Sequence, residues 1–169
     1  FFTSTHRIIA LDLSGMGDSG HRSNYGPGDL ANDVIATIEA TSKKPVTAIG
    51  HSYGGSRVLR ACADRPELFE HLIIVDSYVL SEDDNAIREP AIIRGDREYP
   101  DEASAIGRFK LLPSQPEAMP CLVEYVAKHS LRRQGNGYRW KFDPSLPAGG
   151  ARETDGSAML SRIIRPVDY

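Results

Sequence analysis

The segment that could carry chemistry most directly is Gly50-His51-Ser52-Tyr53-Gly54, which has the pattern G-x-S-x-G. A short apolar, β-branched run, Val46–Ile49, precedes it, and a helix-compatible stretch begins at Ser56. In a strand, turn and helix arranged this way, the serine occupies a sharp, strained turn with its hydroxyl exposed. A Cβ at Gly50 or Gly54 is expected to collide with the neighbouring backbone. A competing interpretation is an ordinary glycine-rich turn between a strand and a helix.

The residues around Ser52 predict acyl-transfer chemistry. The backbone N–H of Tyr53 would start the helix and point to the place where an oxyanion forms, so Ser52 is the predicted nucleophile and Tyr53 a predicted backbone donor. His51 points away or toward a pocket wall, which makes it a candidate substrate contact. A serine hydroxyl needs a general base. None of the other histidines suits that role from its predicted position; they are His6, His21, His71 and His129.

The composition argues against several classes of partner. The 169 residues contain 20 Lys and Arg against 23 Asp and Glu, so neither nucleic acid nor an anionic membrane is expected to bind. No apolar run is long enough to span a membrane, and the first residues lack a signal-peptide pattern. Cys62 and Cys121 make no disulfide framework, so free thiols in the cytoplasm are expected. We expect a small-molecule substrate and no metal or organic cofactor; the oligomeric state stays open.

Apolar periodicity predicts a parallel α/β arrangement for the first part of the chain. The predicted buried strands are Arg7–Leu13, Val46–Ile49 and Leu72–Asp76, and the predicted helices are Asp29–Ala40 and a helix that ends near Asp64. Short links between alternating strands and helices imply a three-layer parallel sheet with right-handed crossovers. Because the chain begins without Met, directly before a strand pattern, we expect a fragment of a longer protein.

The glycines Gly15, Gly17 and Gly20 also satisfy the dinucleotide-binding pattern G-x-G-x-x-G. That fingerprint needs a helix to open at once, whereas this chain continues into helix-breaking residues as far as Gly28. An acidic residue about 20 positions on should end a second strand, but Glu39 falls within a predicted helix. Nucleotide binding is therefore not predicted.

A second, mainly helical unit is predicted for residues 81–165, after a first unit of residues 1–80 and before a return toward the sheet at 166–169. A helix is expected over Glu102–Leu112, and Pro120 suits the start of another. Alternating aromatic residues over Tyr138–Phe142 predict a short extended segment. Ala158–Ile164 is predicted to be a short helix or a turn.

These segments resemble the α/β-hydrolase family. The resemblance is carried by Asp12–Ser19, by Gly50–Gly55 and by Leu72–Ser77, in that order along the chain. It implies a partial α/β-hydrolase core in residues 1–80 and a helical cap in 81–165. It also implies that Ser52 is the nucleophile, whereas the epoxide hydrolase and haloalkane dehalogenase branches use Asp at this place.

The resemblance extends to further site residues. Asp76 follows the third predicted strand, where some members of the family place the catalytic acid, although a structural role is more common there. The segment Tyr138–Pro144 is similar to part of the cap of hydrolases of small esters, and Trp140 within it is a candidate substrate contact, unless it packs in the core instead. The catalytic histidine is expected after a later strand, beyond the cap.

The activity implied is that of a serine hydrolase, which cleaves an ester or related acyl bond through a Ser52 acyl-enzyme. Two different functions stay open beside it. The first is that of a non-catalytic member of the fold that binds a ligand or a partner. The second is that of a hydrolase-like enzyme that acts on carbon–carbon bonds with the same serine.

Overall fold

The computed structural model describes residues 3–77, 97–111, 114–146 and 156–169. In chain order the elements are α1 (Pro27–Thr41), β1 (Val46–His51), α2 (Tyr53–Asp64), a 3-10 turn (Pro66–Leu68), β2 (Phe69–Val75), α3 (Glu102–Ile106), α4 (Pro120–His129), β3 (Leu131–Gln134), β4 (Gly137–Trp140), α5 (Gly156–Ser161) and β5 (Val167–Asp168). The predicted order of strand, helix and strand around Ser52 is confirmed.

The strands β1, β2 and β5 form a parallel sheet in that order. Alternate side chains of a strand point to opposite faces of the sheet. Leu72 and Ile74 are buried in the core, whereas Ile49 and Val75, on the other face, are 60% and 45% exposed. Within the described residues, the helices therefore cover one face of this sheet. The predicted parallel α/β fold is confirmed, and of its three predicted layers the described residues show the sheet and one layer of helices.

The main core lies between this sheet and the helices α1, α2 and α5. Burial of one leucine-sized side chain stabilises a fold by roughly 1.5–3 kcal/mol, so this apolar cluster holds the helices against the strands. The buried residues recur at helical spacing along α1, as the sequence predicts, and occupy most positions of α2 after Ser56. They are Ala31, Ile35, Ile38, Val58, Leu59, Ala61, Cys62, Ala63, Phe69, Leu72, Ile74 and Met159.

The helix α1 begins earlier than predicted. Its N-cap is Gly26, three residues before the predicted start at Asp29, and Pro27 occupies the first helical position, where its missing N–H costs nothing. The Asp29 carboxylate accepts a hydrogen bond from the Gly26 N–H at 3.0 Å. A side chain of the first turn therefore caps the helix by reaching back to the residue that precedes it.

The prediction of a buried strand at residues 7–13 is wrong. The backbone there forms no strand, and Ile8, Ile9 and Leu11 are 54%, 45% and 40% exposed. A strand needs a neighbour to pair its backbone groups, and none of the strands in the described ranges pairs with this segment. Leu13, at its end, is buried with Tyr25 and Leu30 in a small separate cluster.

Residues 97–146 combine helices with a hairpin, in which β4 corresponds to the predicted extended segment over Tyr138–Phe142 and β3 was not predicted. The strands β3 and β4 pair in an antiparallel hairpin across a turn in which Gly135 has a φ of 60°. The helix α3 ends at Ile106, with Gly107 as its C-cap, so it is shorter than the helix predicted over residues 102–112. Residues 112 and 113 lie outside the described ranges. The helix α4 begins at Pro120, as predicted.

No helix within the described ranges combines the length and the apolar character that a membrane span requires.

Candidate active site

Ser52 lies between the end of β1 and the start of α2 in a left-handed backbone conformation. Its φ is 48° and its ψ is −118°, and the residue is exposed. A non-glycine residue with positive φ is uncommon, and strain of this kind concentrates at functional sites. The N–H of Ser52 donates to the carbonyl oxygen of Val75 at 2.9 Å, so β2 holds the turn in place. The strained, exposed serine predicted from the sequence is therefore present.

The crowding around this turn differs in part from the prediction. A Cβ at Gly50 would lie 2.6 Å from the Gly55 Cα, which confirms the expected collision at Gly50. At Gly54 the prediction is wrong, because a Cβ there would meet nothing within 4 Å. The crowded position is Gly55, where a Cβ would lie 1.8 Å from the Ser77 Oγ. Gly55 is the second glycine that the turn requires.

Tyr53 is the first residue of α2, so its backbone N–H has no acceptor within the helix. Its side chain packs against the cluster of Leu13 and Leu30. The guanidinium carbon of Arg57, one turn further along the helix, lies 4.3 Å from the centre of the Tyr53 ring. These contacts hold the side chain of Tyr53 in place, while its backbone N–H stays without an acceptor in the helix.

The other predicted site residues lie at different places. His51 ends β1 and is exposed, and Asp76 follows β2, also exposed, with a φ of 46°. Trp140 is 8% exposed in a buried apolar cluster, where its indole N–H donates to the Tyr99 hydroxyl at 3.4 Å and its ring lies 5.6 Å from the Phe109 ring. Within the described residues, Trp140 therefore packs with other aromatic side chains.

No histidine ring in the described ranges is hydrogen-bonded to the Ser52 hydroxyl. His71 forms a 2.8 Å pair with the carboxylate of Asp168, an arrangement that resembles the base and acid of a triad. However, His71 lies near the start of β2, and Val75, which contacts Ser52, lies four residues further along the strand, or about 13 Å away. The ring of His129, on α4, donates from Nδ1 to the Tyr125 carbonyl oxygen.

Metal-ligand clusters of three or more His, Cys, Asp or Glu side chains are absent from the described part of the chain.

A buried polar contact that sequence reasoning missed joins Tyr25 to Asp143. The Tyr25 hydroxyl donates to the Asp143 carboxylate at 2.5 Å, and the residues are 3% and 8% exposed. The Asp143 N–H donates to the Gly15 carbonyl oxygen at 2.7 Å, and His21 lies 3.4 Å from the carboxylate. The contact spans 118 positions of sequence, so no local pattern could reveal it.

This environment shifts two pKa values. Burial raises the pKa of the Tyr25 phenol above its ordinary value, and the neighbouring Asp143 carboxylate raises it further. Burial alone would raise the pKa of Asp143. The hydrogen bonds from Tyr25 and Ser145, with a smaller contribution from His21, outweigh burial and hold that pKa below its ordinary value. Asp143 is therefore ionised at neutral pH.

Comparison with known proteins shows which family this chain resembles. Residues 2–155 match the family model described as alpha/beta hydrolase fold. A Danio rerio protein named serine hydrolase-like protein is 35% identical over 75 residues, which are 43% of this chain and 23% of that protein. Epoxide hydrolase 4 of Mus musculus is 28% identical over 144 residues, which are 80% of this chain and 37% of that protein.

A solved structure shares the same architecture. The Mycobacterium tuberculosis esterase Rv0045c matches with a TM-score of 0.70 and 19% identity, over 92% of this chain and 56% of that chain. The match therefore covers between about a quarter and two fifths of the length of the two curated relatives described above, and just over half of the length of the solved esterase. Since the family model matches most of its residues, the chain belongs to the α/β hydrolase fold family.

Proposed function

We propose that Ser52 is the nucleophile of a hydrolase that cleaves an ester or related acyl bond of a small molecule. The observation that carries this proposal is the left-handed, exposed Ser52 at the junction of β1 and α2, next to the first N–H of the helix. The Ser52 Oγ attacks the acyl carbon as its proton passes to a general base, and the acyl oxygen takes up negative charge beside the Tyr53 N–H. The alcohol leaves with that proton, and water then hydrolyses the acyl-enzyme to the acid.

In this proposal the general base comes from the part of the family fold that the chain does not span. The described histidines lie elsewhere or bind other partners, as His71 does with Asp168. Asp76 remains a candidate acid because it follows the strand next to the Ser52 turn. Loss of the base typically lowers turnover by a factor on the order of 10⁶, so the chain by itself is expected to be nearly inactive.

Similarity to the mouse epoxide hydrolase 4 raises a second candidate function. The epoxide hydrolase branch of the fold uses an aspartate as its nucleophile, whereas this chain has Ser52 between Gly50 and Gly54. A carboxylate nucleophile forms an ester with an epoxide carbon, and a serine hydroxyl has no carboxyl group for water to attack afterwards. Ser52 therefore favours acyl transfer over epoxide opening.

A non-catalytic binding protein and an enzyme that acts on carbon–carbon bonds would each behave differently when an intermediate is trapped. A binding member of the fold would form no covalent adduct at Ser52 with any acyl donor. A serine enzyme acting on carbon–carbon bonds would react at Ser52 but would cleave ketones rather than simple esters in a substrate panel.

The proposal is tested with a fluorophosphonate, which reacts with activated serines, and with added imidazole as a replacement base. We expect slow labelling of Ser52 that accelerates as the imidazole concentration rises, with the adduct located by peptide mass spectrometry. Ser52→Ala should abolish the adduct, whereas Ser42→Ala, a matched change before β1 at the end of that strand away from Ser52, should leave it unchanged. A failure of imidazole to produce any Ser52 adduct would contradict the proposal. Rapid labelling without imidazole would reveal a base within this chain.

A further inference from the structure

The turn that follows β2 holds the backbone of Ser52 from both sides. The N–H of Ser52 donates to the carbonyl oxygen of Val75 at 2.9 Å. The hydroxyl of Ser77 donates to the carbonyl oxygen of Ser52 at 2.6 Å. Val75 and Ser77 flank Asp76, so one short turn contacts both the N–H and the carbonyl of the strained residue.

The left-handed conformation of Asp76 brings these two contacts to the same neighbour. Its φ of 46° is uncommon for a residue other than glycine. In an extended strand, Ser77 would lie about 6–7 Å beyond Val75 and could not reach the residue that Val75 binds. The bend at Asp76 turns Ser77 back toward Ser52. The strain at Asp76 therefore serves a contact at the candidate active site.

Gly55 provides the space for the Ser77 hydroxyl. A Cβ at Gly55 would lie 1.8 Å from the Ser77 Oγ and 2.8 Å from the Ser77 Cβ. By contrast, a Cβ at Gly54 would meet nothing within 4 Å. The two glycines are adjacent in sequence, but only the one that faces Ser77 is crowded. Gly55 and Ser77 are therefore fitted to each other.

The contact with Ser77 is made to the peptide group that carries the predicted oxyanion donor. The carbonyl of Ser52 and the N–H of Tyr53 belong to one planar trans peptide and point in opposite directions. Two other donors reach the Ser52 carbonyl, the N–H groups of Gly55 at 3.0 Å and Ser56 at 3.4 Å, and both belong to α2 itself. Among the described residues, Ser77 is the one that ties this peptide to the turn after β2.

We propose that Ser77 is a positioning residue, which directs the Tyr53 N–H toward the oxyanion by holding the Ser52 carbonyl. The catalytic consequence rests on the proposed function of Ser52. A correctly directed donor stabilises the charged transition state more than the bound ester. Loss of the Ser77 hydroxyl therefore lowers the rate of acylation and leaves the affinity for the unreacted compound unchanged.

The test compares Ser77→Ala with Ser42→Ala. Ser42 also donates its hydroxyl to a backbone carbonyl, that of Lys44 at 2.7 Å, but it lies before β1, at the end of that strand away from Ser52. With the fluorophosphonate and imidazole, Ser77→Ala should lower the maximal labelling rate of Ser52 by about tenfold, at an unchanged half-saturating probe concentration. Ser42→Ala should change neither quantity. An unchanged maximal rate in Ser77→Ala would overturn the proposal.

A second measurement requires no reaction at Ser52. In ¹H–¹⁵N NMR spectra, Ser77→Ala should move the Tyr53 amide resonance, and Ser42→Ala should leave it in place. An unmoved Tyr53 resonance in Ser77→Ala would overturn the positioning role. If the wild-type chain forms no Ser52 adduct but Ser77→Ala moves the Tyr53 resonance, the proposed function fails while the effect of Ser77 on the peptide stands.

Discussion

The substitution Tyr25→Phe tests the buried contact between Tyr25 and Asp143, which lie 118 positions apart in the sequence. It removes the hydroxyl that donates to Asp143 at 2.5 Å and keeps the buried ring, so the change isolates one hydrogen bond. A hydrogen bond to a charged group typically contributes about 1.5–3 kcal/mol to stability. In a domain of this size, that loss corresponds to a fall in Tm of roughly 3–12 °C.

The assay is urea unfolding of Tyr25→Phe and of Tyr125→Phe, which removes a hydroxyl from a side chain that is 60% exposed. The pKa of Asp143 lies below its ordinary value in the folded protein, so its carboxylate contributes stability above the unfolded-state pKa. That contribution is lost as the pH falls through the folded-state pKa. The free-energy cost of Tyr25→Phe should therefore shrink below about pH 4. Equal costs for the two variants, or a cost that does not change with acidification, would refute this reasoning.

Three further substitutions or conditions follow from the same structure. Gly50→Ala should lower the free energy of unfolding by about 1–3 kcal/mol, because its Cβ meets the Gly55 backbone. Gly54→Ala should change that free energy by less than about 0.5 kcal/mol. Similar losses for the two variants in urea unfolding would contradict the described turn. Trp140→Ala should cost about 3–5 kcal/mol in the same assay, since the ring is buried, and a cost below about 1 kcal/mol would place Trp140 outside a packed core. The raised pKa of Tyr25 means that its neutral form contributes stability below the unfolded-state pKa, and that this contribution is lost as the pH rises through the folded-state value. When Tm is measured from pH 8 upward, the Tm of the wild type should therefore fall more steeply above about pH 10 than the Tm of Tyr25→Phe. Parallel curves of Tm against pH for the two proteins would contradict this prediction.

Features determined by nearby residues could be predicted from the sequence. The helix α1 carries apolar residues at helical spacing, and Pro66 marks the end of α2. The turn at Ser52 follows from a β-branched run, two glycines and a helix-compatible stretch within about twenty residues. For these elements, the signals that decide the structure lie within the element or beside it.

Features that depend on distant residues could not be predicted. Residues 7–13 have the composition of a buried strand, but strand formation also depends on a pairing partner. The crowded glycine is Gly55 rather than Gly54 because Ser77, which is far along the chain, occupies the space beside it. The Tyr25–Asp143 contact likewise joins residues that are 118 positions apart. A single sequence contains no signal that pairs such positions.

The central claim is that Ser52 forms a covalent acyl-enzyme, and trapping this intermediate tests it most directly. The chain is incubated with p-nitrophenyl acetate and imidazole, quenched in acid and digested, and the acetylated residue is located by mass spectrometry. The proposed function predicts an acetyl group on the Ser52 hydroxyl that is absent from Ser52→Ala. An unmodified Ser52, or an acetylation pattern that is the same in Ser52→Ala, would contradict it.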